Sequence, residues 1–204
     1  MIKRLLLYSG VMLFIACGST SKSDYLHQFY SERQAHMVGL VAGDRAPLTS
    51  HDLSHIQHYP YNDSYRVRAT FEETPSAEPV TMATYSGNEK VFSQKGKLLF
   101  SLDGKKHTIY VYQLAQFANH PLYGQTYFIP FKDATSGNET YGGGRYMDIN
   151  KSLFANEKIV LDFNQAYNPW CAYADGYNCP IPPKENDLMV AIYAGERNFQ
   201  KDHH

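Results

Sequence analysis

The chain has 204 residues, with 19 Lys and Arg against 20 Asp and Glu, a formal net charge of −1. That balance leaves no basic face of the kind a nucleic acid needs, and the length suits one domain with a sizeable core. Seventeen tyrosines are many for this length. Tyrosine serves half-buried sheet faces and binding surfaces alike, because its ring packs while its hydroxyl reaches a partner.

The first residues carry an address. Lys3 and Arg4 precede Leu5 to Ile15, an almost wholly apolar run. It is far shorter than the roughly 20 residues that cross a bilayer as a helix, which makes it a signal-peptide core. Ala16-Cys17 resembles the lipobox of bacterial lipoproteins, where cleavage precedes a cysteine that is then diacylated. The expected organisation is a signal peptide over 1–16, a lipid-anchored tether over 17–24 and a single β-rich domain over 25–204. The expected location is the bacterial cell envelope, at the outer membrane or periplasmic face. The membrane is then a partner through acylated Cys17.

Asp24 is placed to cap a helix starting at Tyr25. Leu26, Phe29, Tyr30, Met37 and Leu40 fall on one face at helical spacing, and Gly43-Asp44 ends the element. Thr49-Ser-His-Asp52 has the spacing of a capping box and predicts a short helix through His58, stopped by Pro60. His51, His55 and His58 would then share a face. No glutamate stands where a zinc protease needs one, so the expectation is a wet polar face with no metal.

From Tyr65 onward the period is two. Tyr65–Phe71, Val80–Tyr85, Glu89–Ser93, Lys97–Leu102, Thr108–Leu114, Thr126–Phe131, Arg145–Ile149, Ile159–Phe163 and Leu188–Tyr193 read as strands. Lys95-Gly96 separates the third from the fourth. Asp103-Gly104 is a strong hairpin signal, since both positions tolerate positive φ. The fold class expected is mainly β (α+β): an antiparallel β-sandwich or small barrel with an N-terminal helix.

Chemistry concentrates between Phe128 and Arg197. Gly142-Gly143-Gly144 lets backbone N–H groups approach a ligand, and Arg145 adds a bidentate fork. The alternative is a sheet corner, with Arg145 paired to Asp133, Asp148 or Asp162. Asp162 is the partner favoured, because its segment through Asn168 is the other stretch dense in polar groups. The candidate ligand-binding residues are Asp133, Glu139, Tyr141, Gly143, Arg145, Asp148, Asp162, Asn164, Tyr167 and Asn168. No cofactor is implied. Cys171 and Cys179 lack the CxxC spacing of a redox pair and read, in an oxidising compartment, as a disulfide.

Three segments, Pro130–Asp148, Asp162–Asn186 and Ala194–Arg197, resemble the domain of unknown function 1684 family. Where many members have two prolines before the first cysteine, this chain has Pro169-Trp170. The resemblance supports domain extent and implies no reaction. The functional expectation is a tethered module that binds a small anionic or glycan-like ligand. A carboxylate-based hydrolase drawn from Asp133, Glu139, Asp148 and Asp162 is the alternative, and a partner-docking protein without a pocket is the third.

Overall fold

The computed structural model describes residues 21–201 apart from Ser76 and Leu122. The expected signal peptide, Cys17 and most of the expected tether lie outside the described residues. Helix α1 runs Lys22–Gly39 and starts earlier than the sequence suggests. Ser21, rather than Asp24, is the cap: its hydroxyl accepts from the Asp24 N–H at 3.1 Å, and the Asp24 carboxylate accepts from the Ser21 backbone N–H at 3.3 Å. This reciprocal pair is a capping box, so Asp24 sits three residues inside the cap. Of the expected apolar face, Phe29 and the following Leu40 are buried, whereas Tyr30 is half exposed. Ser50–His55 forms a short 3-10 helix. Among the described residues no cluster of histidine, cysteine and acidic side chains is arranged to hold a metal.

The strands are β1 (Arg66–Glu73), β2 (Val80–Ala83), β3 (Glu89–Leu102), β4 (Lys105–Leu114), β5 (Thr126–Asp133), β6 (Arg145–Asn150), β7 (Lys158–Asp162) and β8 (Asp187–Leu188). They form one curled sheet, a half-barrel in the order β6-β5-β4-β3-β1-β7, with β2 added on β3 and β8 on β5. All pairings are antiparallel except β5 with β8. The Asp103-Gly104 turn joins β3 to β4, with φ of 50° and 73°, as the dipeptide predicts.

Two expected strands are fused. Glu89–Ser93 and Lys97–Leu102 are one strand, β3, interrupted by a bulge between Gln94 and Gly96. Gly96 is required there: a Cβ would stand 2.4 Å from the Glu72 carbonyl oxygen and 2.4 Å from the Phe71 ring. The extra residue inverts the side-chain alternation. Leu98, Phe100 and Leu102 enter the main core with Ile109, Val111, Ile129 and Phe131. Phe92 lies on the opposite face with Met82 and Tyr112.

The expected strand Leu188–Tyr193 shrinks to Asp187–Leu188 because its continuation has another task. The carbonyls of Ile192, Ala194 and Glu196, spaced by two along the chain, all point at the Arg145 guanidinium.

Candidate functional site

Alternation along β6 decides which candidates meet a ligand. Arg145, Met147 and Ile149 share the core-facing side, opposite Phe131, Ile129 and Tyr127 on β5. Tyr146 and Asp148 face the other way. Arg145 is accordingly enclosed at 0 % exposure. Its guanidinium donates to Asp133 Oδ2 at 2.7 Å, to the carbonyls of Ile192 at 3.0 Å and Glu196 at 3.2 Å, and to that of Ala194. Asp133 also accepts from the Thr135 N–H and hydroxyl. The partner of Arg145 is therefore Asp133, not Asp162, and the network is architectural. Both terminal nitrogens are engaged by carbonyls and one carboxylate, and Nε, which finds no partner, is enclosed with the rest of the side chain, so no face is left open to a ligand.

The glycines before it serve packing and turning. Gly143 backs onto Tyr141 and Tyr85, where a Cβ would stand 2.2 Å from each ring system. Gly144 takes φ +87° beside the Phe131 carbonyl, a conformation that disfavours other residues. Neither presents bare N–H groups to a pocket.

Asp162 and Asn164 hold the end of the half-barrel. Asp162 accepts from the Asn164 N–H at 2.9 Å and from the Tyr25 hydroxyl, and stands 3.9 Å from Arg66 Nε. Asn164 exchanges two hydrogen bonds with the Asn62 backbone. Asn168 is fully buried and donates twice to the Glu196 carboxylate, at 3.1 and 3.0 Å. Tyr173 donates to the same carboxylate at 2.6 Å. Burial pushes the Glu196 carboxyl up to about 7, against the pull of these donors. Glu139 is exposed, and Tyr141 donates to the Cys171 carbonyl at 3.2 Å.

Two candidates, Asp148 and Tyr167, do meet at a concave surface. The Tyr167 hydroxyl donates to Asp148 Oδ2 at 2.5 Å. Asp148 lines three cavities, of about 810, 760 and 210 Å³. Water reaches its side chain, yet the protein crowded around it raises its pKa, with the Tyr167 hydroxyl pulling the other way. The 760 Å³ cavity lies between α1 and the free edges β6 and β7, with Asp162 and Arg66 in its walls. The smallest holds His36 and His58. Burial lowers the pKa of both, that of His58 to about 3.

The largest of these three cavities is an aromatic cleft. Phe92 and Phe128 stack at 5.6 Å and Tyr146 meets Phe128 edge-on at 4.7 Å, forming the sheet wall. Trp170 and Tyr177, edge-on at 5.2 Å, form the facing loop wall. The Cys171–Cys179 disulfide (Cα–Cα 6.2 Å) holds that loop, and the Tyr146 hydroxyl donates to the Pro180 carbonyl across the gap. Phe117 and Tyr123 close a third side. Trp170 is 38 % exposed and Tyr123 60 %. The polar groups are few: Lys90, Arg45, Asn178 and Asp148. A volume in this range, with apolar walls and a few polar groups, is the usual make-up of a small-molecule site. Sequence reasoning missed Lys90, Phe92, Phe128, Trp170 and Tyr177. The parity of Phe128, one step out of phase with the core residues Ile129 and Phe131, was the available signal.

Residues 51–197 match the model of a family described as a protein of unknown function, DUF1684. The chain belongs to the DUF1684 family. The matched segment contains every strand, the disulfide and all the cleft residues named above except Arg45; α1 precedes it. Among solved structures, the chain is similar to the solution NMR structure of an uncharacterised protein of Haloarcula marismortui, at 31 % identity and a TM-score of 0.69, over 86 % of this chain and 95 % of that one. No curated protein matches the chain.

Proposed function

We propose that this DUF1684 protein is a cell-envelope lipoprotein whose aromatic cleft binds a small molecule with a flat apolar face. The observation that carries the reading is the rim. Trp170 and Tyr123 stay substantially exposed beside an apolar cavity of about 810 Å³, although folding normally covers such rings. A stapled loop on one side and a sheet on the other hold the walls apart, so the site is formed before a ligand arrives. The hydrolase alternative draws less support, since two opposed carboxylates are its requirement and Asp148 is the one acid in the lining of this cleft.

Trp170 is the one tryptophan of the chain, so its emission reports directly on the cleft. Titration with flat aryl and pyranoside probes is expected to shift or quench that emission with saturation, and Phe128→Ala to weaken the response about tenfold or more, the loss of a buried ring contact. Saturable binding that leaves Trp170 emission unchanged would place the site elsewhere.

The envelope address is supported by Lys3 and Arg4, the apolar run to Ile15 and the Ala16-Cys17 junction. The proposed anchor is acylation at Cys17, and no described helix is long and apolar enough to cross a membrane. Cys17→Ala is expected to move the protein into the soluble envelope fraction; retention of that variant on membranes after a high-salt wash counts against the anchor.

A further inference from the structure

We propose that Lys90 makes the cleft a receptor for small anionic amphiphiles: aryl or short alkyl carboxylic acids whose carboxylate meets the Lys90 ammonium while the apolar body lies against Phe92, Phe128 and Trp170. This rests on the cleft being a binding site and adds the charge of its occupant.

Lys90 and Phe92 lie two residues apart before the β3 bulge, on the same side of the strand. Both line the cleft. An ammonium has three donors. Lys90 Nζ donates to the Asn178 carbonyl at 2.6 Å, and among the described residues no carboxylate stands within 4.0 Å of it. The side chain is half-buried, and burial lowers its pKa. A cation removed from water ordinarily has a counter-ion; here the space beside it is the cavity.

The other charges in the lining reinforce that sign. Arg45 adds a second cation, its carbonyl held by the Tyr177 hydroxyl at 2.9 Å. Asp148 is on β6, three ladder steps from β3, on the order of 14 Å along the sheet at the usual strand spacing. Its carboxylate is engaged by the Tyr167 hydroxyl and forms no ion pair with Lys90 among the described residues. The donors left on the Lys90 ammonium beside Phe92 and Phe128 match a carboxylate on an apolar body.

A matched pair tests this. 2-Naphthoate and 2-naphthylmethanol are titrated into the full chain, with Trp170 emission and calorimetry as readouts, and octanoate distinguishes an alkyl from an aryl preference. The acid is expected to bind at least about tenfold more tightly than the alcohol, the usual gain of a charge-assisted bond over a neutral one. Lys90→Met is expected to bring the acid down to the affinity of the alcohol, and Lys90→Arg to keep the discrimination. Equal affinities for acid and alcohol in the unaltered protein overturn the anion assignment and leave the cleft as a neutral-ligand site. Failure of both probes to bind, or binding that leaves Trp170 emission unchanged, overturns the cleft reading itself. Because the comparison within the unaltered protein already decides the matter, it stands even if Lys90→Met does not fold.

Discussion

On the core side of the sheet, Arg145 has no exposure, a carboxylate at 2.7 Å and three backbone carbonyls in reach. On the cleft side, Lys90 has one carbonyl and no acid nearby among the described residues. Arg145 is removed from bulk water and Lys90 partly so, and both belong to the same half-barrel. The first is completed by the chain itself, so its loss is a matter of folding. The second is left incomplete beside a cavity, so its loss is a matter of recognition. A charge at a glycine-rich turn is thus the weaker pointer to a ligand, and a half-satisfied lysine among rings the stronger one.

The largest effect expected is on the core side. Asp133→Asn leaves the Arg145 guanidinium enclosed without a counter-ion, and is expected to cost about 3–5 kcal/mol in urea unfolding. Ligand affinity of the protein that remains folded should be unchanged. A loss of under 1 kcal/mol would mean that the carbonyls alone suffice, and would erase the contrast with Lys90.

Glu196 comes next, and its effect depends on pH. Its folded carboxyl titrates near 7, above the value of about 4.3 in an unfolded chain. Between those values the folded state holds the extra proton, so this residue stabilises fully below about 4.3 and the contribution is lost as pH rises through 7. His58, neutral in the fold with a pKa near 3, acts oppositely: it takes stability away as pH falls below about 6.5. The difference between the unaltered chain and Glu196→Gln isolates the glutamate. That difference is expected to change by about 3 kcal/mol from pH 4 to pH 8, and a flat difference curve would show that the buried carboxyl is not strained by its surroundings.

The disulfide is the smallest of the three and touches the cleft side. Reducing Cys171–Cys179, a nine-residue loop, is expected to cost about 2–3 kcal/mol and to weaken cleft binding, because Trp170 and Tyr177 lose their fixed spacing. Reduction that alters stability with no effect on probe affinity would show that the loop wall is held by its hydrogen bonds, among them those of Pro180, Asn178 and Tyr177, without the disulfide.

Much of the fold was legible locally. Asp103-Gly104 places a hairpin, and the alternation in Thr108–Leu114 correctly sends Ile109 and Val111 to the core. The start of α1 and the union of two strands into β3 were not, for different reasons. Ser21 and Asp24 both make good caps, and only their reciprocal bonds select Ser21. Lys95-Gly96 reads as a turn, whereas Gly96 is there because β1 packs against it. In the site, the sequence brought forward Asp148 and Tyr167, which do meet. It also brought forward Arg145, although the apolar Met147 and Ile149 at the same parity mark that side as core. The cleft itself was hidden because its walls come from β3, β5, β6, the disulfide loop and the 117–123 segment, and nothing local links an aromatic on one to an aromatic on another.

The bulge in β3 also limits how the chain can change in length. Phe92 faces the cleft and Leu98 the core only because one surplus residue lies between them. Removing Lys95 would restore plain alternation and send Lys90 and Phe92 inward, emptying one wall of the cleft while crowding the core. Adding or removing two residues preserves phase and merely slides the strand. Descendants of this sequence can therefore vary by pairs in this stretch but not by ones, and a gap of odd length here in a relative would mark a protein whose two surfaces no longer coexist on one strand.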